Sequence, residues 1–131
     1  MKKELKLSTL CVRAGWEPKN GEPIEVPVYQ STTFKYDNSE EMAMLFDLKK
    51  DGYFYSRLQN PTNDAVAKKI AALEGGVGAV LTSSGQAANF YARFNICEAG
   101  DDGVSSNEIY GGTCNLFGVT LKKLGIGCTF V

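Results

Sequence analysis

The chain has 131 residues, of which 44% are hydrophobic and 22% charged, and its formal net charge is −1. This balance is that of an ordinary globular protein, and the length allows one domain with a core of its own. Scattered Lys and Arg residues form no basic stripe, so nucleic acid is not expected as a partner. No apolar run reaches the roughly 18 residues of a membrane span, and no signal peptide is recognisable, which predicts a cytoplasmic protein without membrane contact.

The residue types limit the chemistry that the chain can perform. It contains no histidine, which excludes Ser-His-Asp and Cys-His catalysis and the usual zinc sites. The four cysteines are irregularly spaced and form no CxxC pair, so they are interpreted as reduced, and no metal site is predicted. Any chemistry must therefore come from lysine, tyrosine, carboxylates or a cofactor.

The first part of the chain is predicted to be an extended arm. Residues 1–37 show little helical periodicity, and three prolines restrict the residues before them. A short helix should follow from Asn38 or Ser39, either of which can cap it, to about Gly52. Its apolar residues are Met42, Leu45 and Phe46.

The clearest helix is predicted to begin at Pro61, because proline suits the first helical position and Asn60 can cap it. Gly75 and Gly76 should end this helix. Its apolar face is predicted to contain Val66, Ile70 and Leu73.

Strands alternate with helices in the second half. Strands are predicted at residues 79–84, 103–107 and 128–131, with helices between them. The helices carry apolar residues in register: Phe90, Phe94 and Cys97 in one, and Phe117, Leu121 and Leu124 in the other. The alternation predicts an α/β fold with a parallel sheet covered on both faces. Because a strand is predicted where the chain stops, truncation of a larger α/β enzyme is the expected explanation.

Ser84, Gly85 and Gln86 lie where the first of these strands is expected to meet a helix. The N–H groups of Gly85 and Gln86 would then be unpaired and would point at an anion, for which a phosphate is suitable. A simple strand-to-helix turn explains the same residues equally well, because short glycine motifs match often.

Three further side chains are candidates for a phosphate or cofactor site. Tyr55 and Arg57 place a phenol and a guanidinium two residues apart, so that both would point the same way in an extended segment. Considered alone, they are more simply explained as a packing tyrosine and a surface arginine. Tyr110 follows the second predicted strand, at the edge of the sheet where ligands collect in open α/β folds, although a half-buried tyrosine is the alternative.

Four segments in this order resemble the Cys/Met-metabolism family of pyridoxal-phosphate (PLP) enzymes, which belongs to fold type I. They are PVYQSTTFKY (27–36), YSRLQNPTNDAVAKKIAALEGG (55–76), TSSGQAAN (82–89) and IYGGTCNLF (109–117). The resemblance covers nearly the whole chain and implies PLP as the cofactor. Within the family, the last two segments are more similar to O-acetylhomoserine sulfhydrylases than to the γ-lyases.

The resemblance implies cofactor-binding roles for the candidate residues. Gly85 and Gln86, following Ser84, would bind the PLP phosphate through their backbone amides. Tyr55 and Arg57 would bind the phosphate of the neighbouring subunit's cofactor, which implies a homodimer or homotetramer. Residues 1–60 would then form an arm with one short helix that contacts the partner, and residues 61–131 the first part of the PLP-binding large domain.

Tyr110 is implied to stack on the pyridine ring and to assist proton transfer or departure of the leaving group, as the catalytic residue of this part of the enzyme. The implied reaction is γ-replacement on O-acetylhomoserine with sulfide or methanethiol, giving homocysteine or methionine. Cystathionine γ-synthase or γ-lyase activity on the same scaffold is an alternative, as is a non-catalytic truncated remnant. A nucleotide-binding domain ranks last, because neither GxGxxG nor GxxxxGK[ST] is present.

The chain also departs from the family pattern. The catalytic lysine, the aspartate for the pyridine nitrogen and the arginine for the substrate carboxylate are expected beyond these residues, so the chain alone should be inactive. Gly103 replaces a more apolar residue, which would loosen the second strand. Cys114 stands where tyrosine is expected and receives no role.

Overall fold

The structure is a computed structural model that describes residues 5–131. The chain divides into two compact units, Met1–Val80 and Leu81–Val131. Residues 1–4 of the predicted arm lie outside the described residues, and the predicted division after residue 60 stays a prediction about the whole enzyme. Among the described residues, no helix is both long and apolar enough to cross a membrane.

The first unit contains three helices: α1 (Leu7–Arg13), α2 (Ser39–Phe46) and α3 (Pro61–Glu74). Helix α1 shows that the prediction of an extended arm is wrong for this segment. The carbonyl of Lys6 accepts hydrogen bonds from the N–H groups of Thr9 and Leu10 at 2.9 and 3.0 Å, and α1 contacts α3. Local hydrogen bonds and packing on α3 thus stabilise a helix whose periodicity is too weak to predict it.

Helix α2 begins where the sequence predicts. The side chain of Asn38 accepts a hydrogen bond from the N–H of Glu41 at 2.8 Å, which confirms Asn38 as the N-cap. The helix ends earlier than predicted, and Leu48 just beyond it has a φ of 55°, outside the right-handed helical region. Of the three predicted apolar residues, only Leu45 is buried.

Helix α3 has both predicted ends. The side chain of Asn60 accepts a hydrogen bond from the N–H of Thr62 at 2.9 Å, and Pro61 occupies the first turn. Gly75 ends the helix with a φ of 67°, a left-handed conformation that glycine adopts without a steric penalty.

The predicted apolar face of α3 is not the face that the structure buries. Val66 and Ile70 remain 42% and 44% exposed, whereas Pro61 and Ala65 are buried. The buried face contacts α1, and Gly15, just after α1, lies so close to Ala65 that a side chain on the glycine would clash with the Ala65 carbonyl. Periodicity identified the helix but not the side that packs within this unit.

The second unit contains one parallel pair of strands. Its elements are α4 (Gly85–Phe94), β1 (Asp102–Ser105), α5 (Gly111–Asn115), a π-helical turn (Leu116–Thr120), a 3₁₀ turn (Leu121–Leu124) and β2 (Gly127–Phe130). In the parallel register Val104 lies opposite Thr129. The last two predicted strands and their parallel arrangement are confirmed, and the helix predicted between them forms as the continuous helical stretch from α5 through the 3₁₀ turn.

The strand predicted at residues 79–84 is wrong. The segment has no regular strand structure and makes no ladder hydrogen bonds within the described residues, and Val80 is 87% exposed. A β-prone run forms a strand only where another strand satisfies its backbone groups, and none lies beside it among residues 5–131.

Candidate functional site

The start of α4 presents two N–H groups to solvent. The hydroxyl of Ser84 accepts a hydrogen bond from the N–H of Ala87 at 3.1 Å, and its carbonyl accepts one from the N–H of Ala88 at 3.0 Å. The N–H groups of Gly85 and Gln86 have no acceptor among residues 5–131. Helix N-termini of this kind attract anions through their free donors and the helix dipole. The geometry suits the predicted phosphate site, whose occupancy stays a prediction.

The side chain of Gln86 is engaged elsewhere. Its amide nitrogen donates to the hydroxyl of Thr113 at 2.9 Å, and the amide of Asn89 donates to the same hydroxyl at 3.2 Å. Thr113 is only 6% exposed. These bonds join α4 to α5 and hold the side chain of Gln86 on Thr113, while its backbone N–H has no acceptor among residues 5–131. Sequence reasoning missed Thr113, for which the only signal is its place in the IYGGT segment.

Tyr110 lies at the start of α5, after β1, as predicted. Its carbonyl accepts hydrogen bonds from the N–H groups of Thr113 and Cys114 at 2.8 and 3.1 Å, while the residue is 75% exposed. The ring lies over Gly112, where a Cβ atom would come within 2.6 Å of the ring carbon Cε1. The half-buried alternative is therefore wrong for this chain, and the phenol is available to a ligand.

Cys114 has a structural contact that the sequence did not suggest. Its thiol lies 3.6 Å from the carbonyl of Ile109 and can donate a weak hydrogen bond to it. The cysteine thereby helps to hold the loop that follows β1 and carries Tyr110. This contact with the loop is a structural reason for Cys114.

Tyr55 and Arg57 lie together in the first unit, although not for the predicted reason. Residues 56–58 form a turn in which the carbonyl of Tyr55 accepts hydrogen bonds at 3.0 Å from the N–H groups of Leu58 and Gln59. The guanidinium carbon of Arg57 lies 5.3 Å from the centroid of the Tyr55 ring. The expectation that both side chains project together from an extended segment is wrong, because a turn brings them into a cation–π contact.

The charge of Arg57 is not neutralised within the described part of the chain. No carboxylate of residues 5–131 forms an ion pair with it, and the side chain is exposed. An arginine with its donors unused can bind a phosphate with two parallel hydrogen bonds. This arrangement suits the predicted phosphate contact, which stays a prediction.

Tyr53, two residues before Tyr55, has a shifted pKa. Burial, together with its hydrogen bond to the carboxylate of Asp64 at 3.0 Å, raises the pKa of Tyr53 to about 12. The phenol therefore stays protonated and fixes the segment before α3 to the first turn of that helix. Among residues 5–131, no group of three His, Cys, Asp or Glu residues is placed to hold a metal ion.

Known proteins match this chain along nearly its whole length. The model of the Cys/Met metabolism PLP-dependent enzyme family matches residues 8–131. Curated relatives include O-acetyl-L-homoserine sulfhydrylase 1 of Thermus thermophilus, 46% identical over 130 residues, and homocysteine/cysteine synthase of Kluyveromyces lactis, 46% identical over 125 residues. The alignments cover 96% and 94% of this chain but only 30% and 28% of those proteins. The chain thus spans about 30% of the length of these relatives.

Solved structures share the fold. A Campylobacter jejuni protein that contains N′-pyridoxyl-lysine-5′-monophosphate superposes with a TM-score of 0.91 at 38% identity, covering 97% of this chain and 31% of its own. Cystathionine gamma-lyase of Lactobacillus plantarum, complexed with L-serine, gives a TM-score of 0.83 at 33% identity, with the same coverage. These matches confirm the predicted α/β class, that of the first part of a fold type I PLP-dependent transferase.

Proposed function

Because this chain belongs to the Cys/Met metabolism family of PLP-dependent enzymes, we propose that it supplies the amino-terminal part of a cytoplasmic O-acetylhomoserine sulfhydrylase. In the proposed reaction, sulfide or methanethiol replaces the acetate of O-acetylhomoserine and gives homocysteine or methionine. Two N–H groups at the start of α4, which have no acceptor among residues 5–131, carry the proposal in a chain whose relatives include named sulfhydrylases.

The second unit would hold the phosphate of PLP. Gly85 and Gln86 would donate their N–H groups to it. Ser84 accepts hydrogen bonds from the next two N–H groups of α4, those of Ala87 and Ala88. When bound, PLP supplies an electron sink for the substrate. The exposed ring of Tyr110 would lie against the flat cofactor, and its hydroxyl would assist proton transfer or departure of the leaving group. The side-chain bond of Gln86 to Thr113 keeps α4 and α5 in a fixed arrangement for these tasks.

The first unit would serve a second copy of the enzyme. Tyr55 and Arg57 donate to the phosphate of the neighbouring subunit's cofactor, so that a homodimer, or a homotetramer of two such dimers, completes each site. The absence of an ion pair at Arg57 within residues 5–131 supports this role, because the guanidinium would otherwise lose its donors to a carboxylate.

We propose that the 131 residues alone hold the cofactor's phosphate without performing the reaction. The catalytic lysine, the partner of the pyridine nitrogen and the arginine for the substrate carboxylate belong to other parts of such an enzyme. Incubation of the chain with PLP, followed by borohydride reduction and peptide mapping, should not label one particular lysine stoichiometrically. Stoichiometric labelling of one lysine would overturn this part of the proposal.

A pair of substitutions at the start of α4 tests the phosphate site in the complete enzyme. Gly85→Pro removes one N–H group at a helical position that tolerates proline, so we expect the Kd for PLP to rise about tenfold or more. Gly85→Ala keeps the N–H group, and its Cβ meets no atom within 4 Å in this structure, so the loss of affinity should be smaller. Equal affinities for the two variants, measured by absorbance titration of the apoenzyme, would contradict the phosphate site.

The activity itself is tested with the same complete enzyme. It should form homocysteine from O-acetylhomoserine and sulfide, measured by chromatography of the products. Preferential formation or cleavage of cystathionine would replace the sulfhydrylase assignment with a synthase or γ-lyase of the same family. Such a result would leave the phosphate site in place.

A further inference from the structure

The segment before α2 lies against the segment before α3 through backbone hydrogen bonds. Thr33 and Tyr55 form an isolated antiparallel bridge. Next to it, the N–H of Ser56 donates to the carbonyl of Thr32 at 2.9 Å. The residue between Tyr55 and Arg57 is therefore fixed to a part of the chain more than 20 positions away.

Asn60 adds a second connection between the same segments. Its side-chain oxygen accepts a hydrogen bond from the N–H of Thr62, while its side-chain nitrogen donates to the carbonyl of Tyr29 and to the hydroxyl of Ser56, each at 2.9 Å. Asn60 is only 7% exposed. All the hydrogen-bonding atoms of this buried amide are thus in use, and two of its three bonds lie outside the helix that it caps.

Two hydroxyl groups, those of Thr62 and Ser56, also bond the segment before α2. Thr62 donates from its hydroxyl to the carbonyl of Pro27 at 2.8 Å and accepts from the N–H of Tyr29 at 2.9 Å. The hydroxyl of Ser56, which accepts from Asn60, itself donates to the carbonyl of Ser31. We call Ser56, Asn60 and Thr62 the clasp, because each of their side chains donates to a backbone carbonyl within residues 27–31.

We infer that Asn60 is a positioning residue for the phosphate contact of Tyr55 and Arg57, acting through the clasp. The inference rests on the proposed role of that pair. Ser56 lies between the two and is held at its N–H and at its hydroxyl, so the turn that brings Tyr55 and Arg57 together is fixed before any ligand arrives. A turn without these bonds would have to be ordered on binding, at a cost in affinity.

Capping of α3 is the competing explanation for Asn60, and one substitution separates the two. Asn60→Asp keeps an oxygen that can accept from the N–H of Thr62, but it removes both donations of the side-chain nitrogen. Asn38→Asp is the matched control, because Asn38 caps α2 through its side-chain oxygen in the same way and makes no other side-chain bond within the described residues.

The clasp is tested first in the 131-residue chain by hydrogen exchange. In Asn60→Asp, the N–H of Ser56 should lose about tenfold of its protection, because the hydroxyl of Ser56 loses the donation from Asn60 and Asn60 loses its bond to the carbonyl of Tyr29. Asn38→Asp should leave that protection unchanged. Equal protection of Ser56 in both variants would overturn the inference.

The consequence is tested in the complete enzyme, with Arg57→Ala as a reference. We expect Asn60→Asp to raise the Kd for PLP about tenfold while kcat at saturating PLP stays close to that of the parent, and Asn38→Asp to change neither. If Arg57→Ala weakens PLP binding but Asn60→Asp does not, the positioning role is wrong and the proposed site survives. If Arg57→Ala has no effect, the proposed role of Arg57 fails and the positioning role fails with it.

Discussion

The two units hold their proposed phosphate-binding residues by different means. In Met1–Val80, the turn with Tyr55 and Arg57 is fixed by side chains that bond the backbone of a distant segment, and the buried residues include the polar Asn60. In Leu81–Val131, two parallel strands and the buried pair Leu121 and Ile126 support the helices that carry the proposed site. The turn of the first unit is thus held by directional polar bonds, although Leu45, Phe54 and Ala65 are also buried there. The second unit supports its helices with a ladder and an apolar pair, besides the bonds to Thr113.

The difference predicts how each unit responds to change. Apolar burial is non-directional, so a shortened core side chain should weaken the whole second unit. A polar clasp is directional, so loss of one donor should loosen one turn and leave the helices in place. Substitutions in one unit should therefore reveal whether the two kinds of support are independent.

The largest effect is expected for Leu121→Ala. Leu121 is fully buried, and the cavity left by its side chain should lower the free energy of unfolding by about 3 kcal/mol. Leu124→Ala is the matched control, because Leu124 is 46% exposed and should cost less than about 1 kcal/mol. Hydrogen exchange should show lost protection at the N–H of Val131, which bonds β1, and unchanged protection at that of Ser56. Equal losses in both units would contradict independent support.

A smaller effect is expected at Arg93, which fills the space beside Gly103. Its guanidinium donates to the carbonyl of Gly127 at 2.5 Å and lies 4.8 Å from the centroid of the Phe117 ring. Arg93→Ala should lower the free energy of unfolding by about 2 kcal/mol, because it removes these two contacts and a donation to Sγ of Cys128 at 3.3 Å. Chemical denaturation of the chain measures this change, and a cost below about 0.5 kcal/mol would show that the guanidinium does not support β2.

Gly103 provides a test of the same contact from the other side. A Cβ atom there would lie 2.2 Å from a guanidinium nitrogen of Arg93, so Gly103→Ala should cost about 1 kcal/mol by displacing that side chain. In the double variant, Arg93→Ala with Gly103→Ala, the clash is absent. Its loss of unfolding free energy should therefore be smaller than the sum of the two single losses. Additive costs would contradict this explanation of the glycine.

Gly103 also shows where sequence reasoning reached its limit. Glycine at this position predicted a loosened strand, yet β1 forms and the guanidinium of Arg93 occupies the space. The partner lies ten residues earlier in the chain, on another element, and no local pattern connects the two. By contrast, the caps Asn38 and Asn60 were predicted correctly, because a cap and the N–H that it satisfies are two or three residues apart.

The same distinction applies to the candidate site. The donors of Gly85 and Gln86 follow from the local geometry of a helix start, so the sequence predicts them even though the strand expected before them is absent. The turn at Tyr55 is attached to residues 31–33 by contacts more than 20 positions apart, and the bond from Asn60 to Tyr29 spans 31 positions. No periodicity reports such contacts. Sequence therefore predicted the locally determined part of the site and missed its long-range support.

The smallest effect concerns Tyr53, whose phenol fixes the segment before α3 by a hydrogen bond to Asp64. Burial, followed by that bond, raises the pKa of Tyr53 from 10.0 to about 12. The folded chain therefore retains the proton more tightly than the unfolded chain. The resulting stability is fully present below pH 10 and is lost as the pH rises toward 12.

Tyr53→Phe should remove this part of the pH dependence, at a cost of roughly 1 kcal/mol at neutral pH for the lost hydrogen bond. Free energies of unfolding measured from pH 8 upward, to about pH 12, should fall less steeply for Tyr53→Phe than for the parent chain. Tyr36→Phe, which leaves the bond between Tyr53 and Asp64 intact, is the control for loss of a tyrosine hydroxyl elsewhere in the unit. If the plots of unfolding free energy against pH are parallel for Tyr53→Phe and the parent, the partly buried phenol of Tyr53 does not stabilise the first unit. The clasp would then be the remaining polar support considered for the turn at Tyr55.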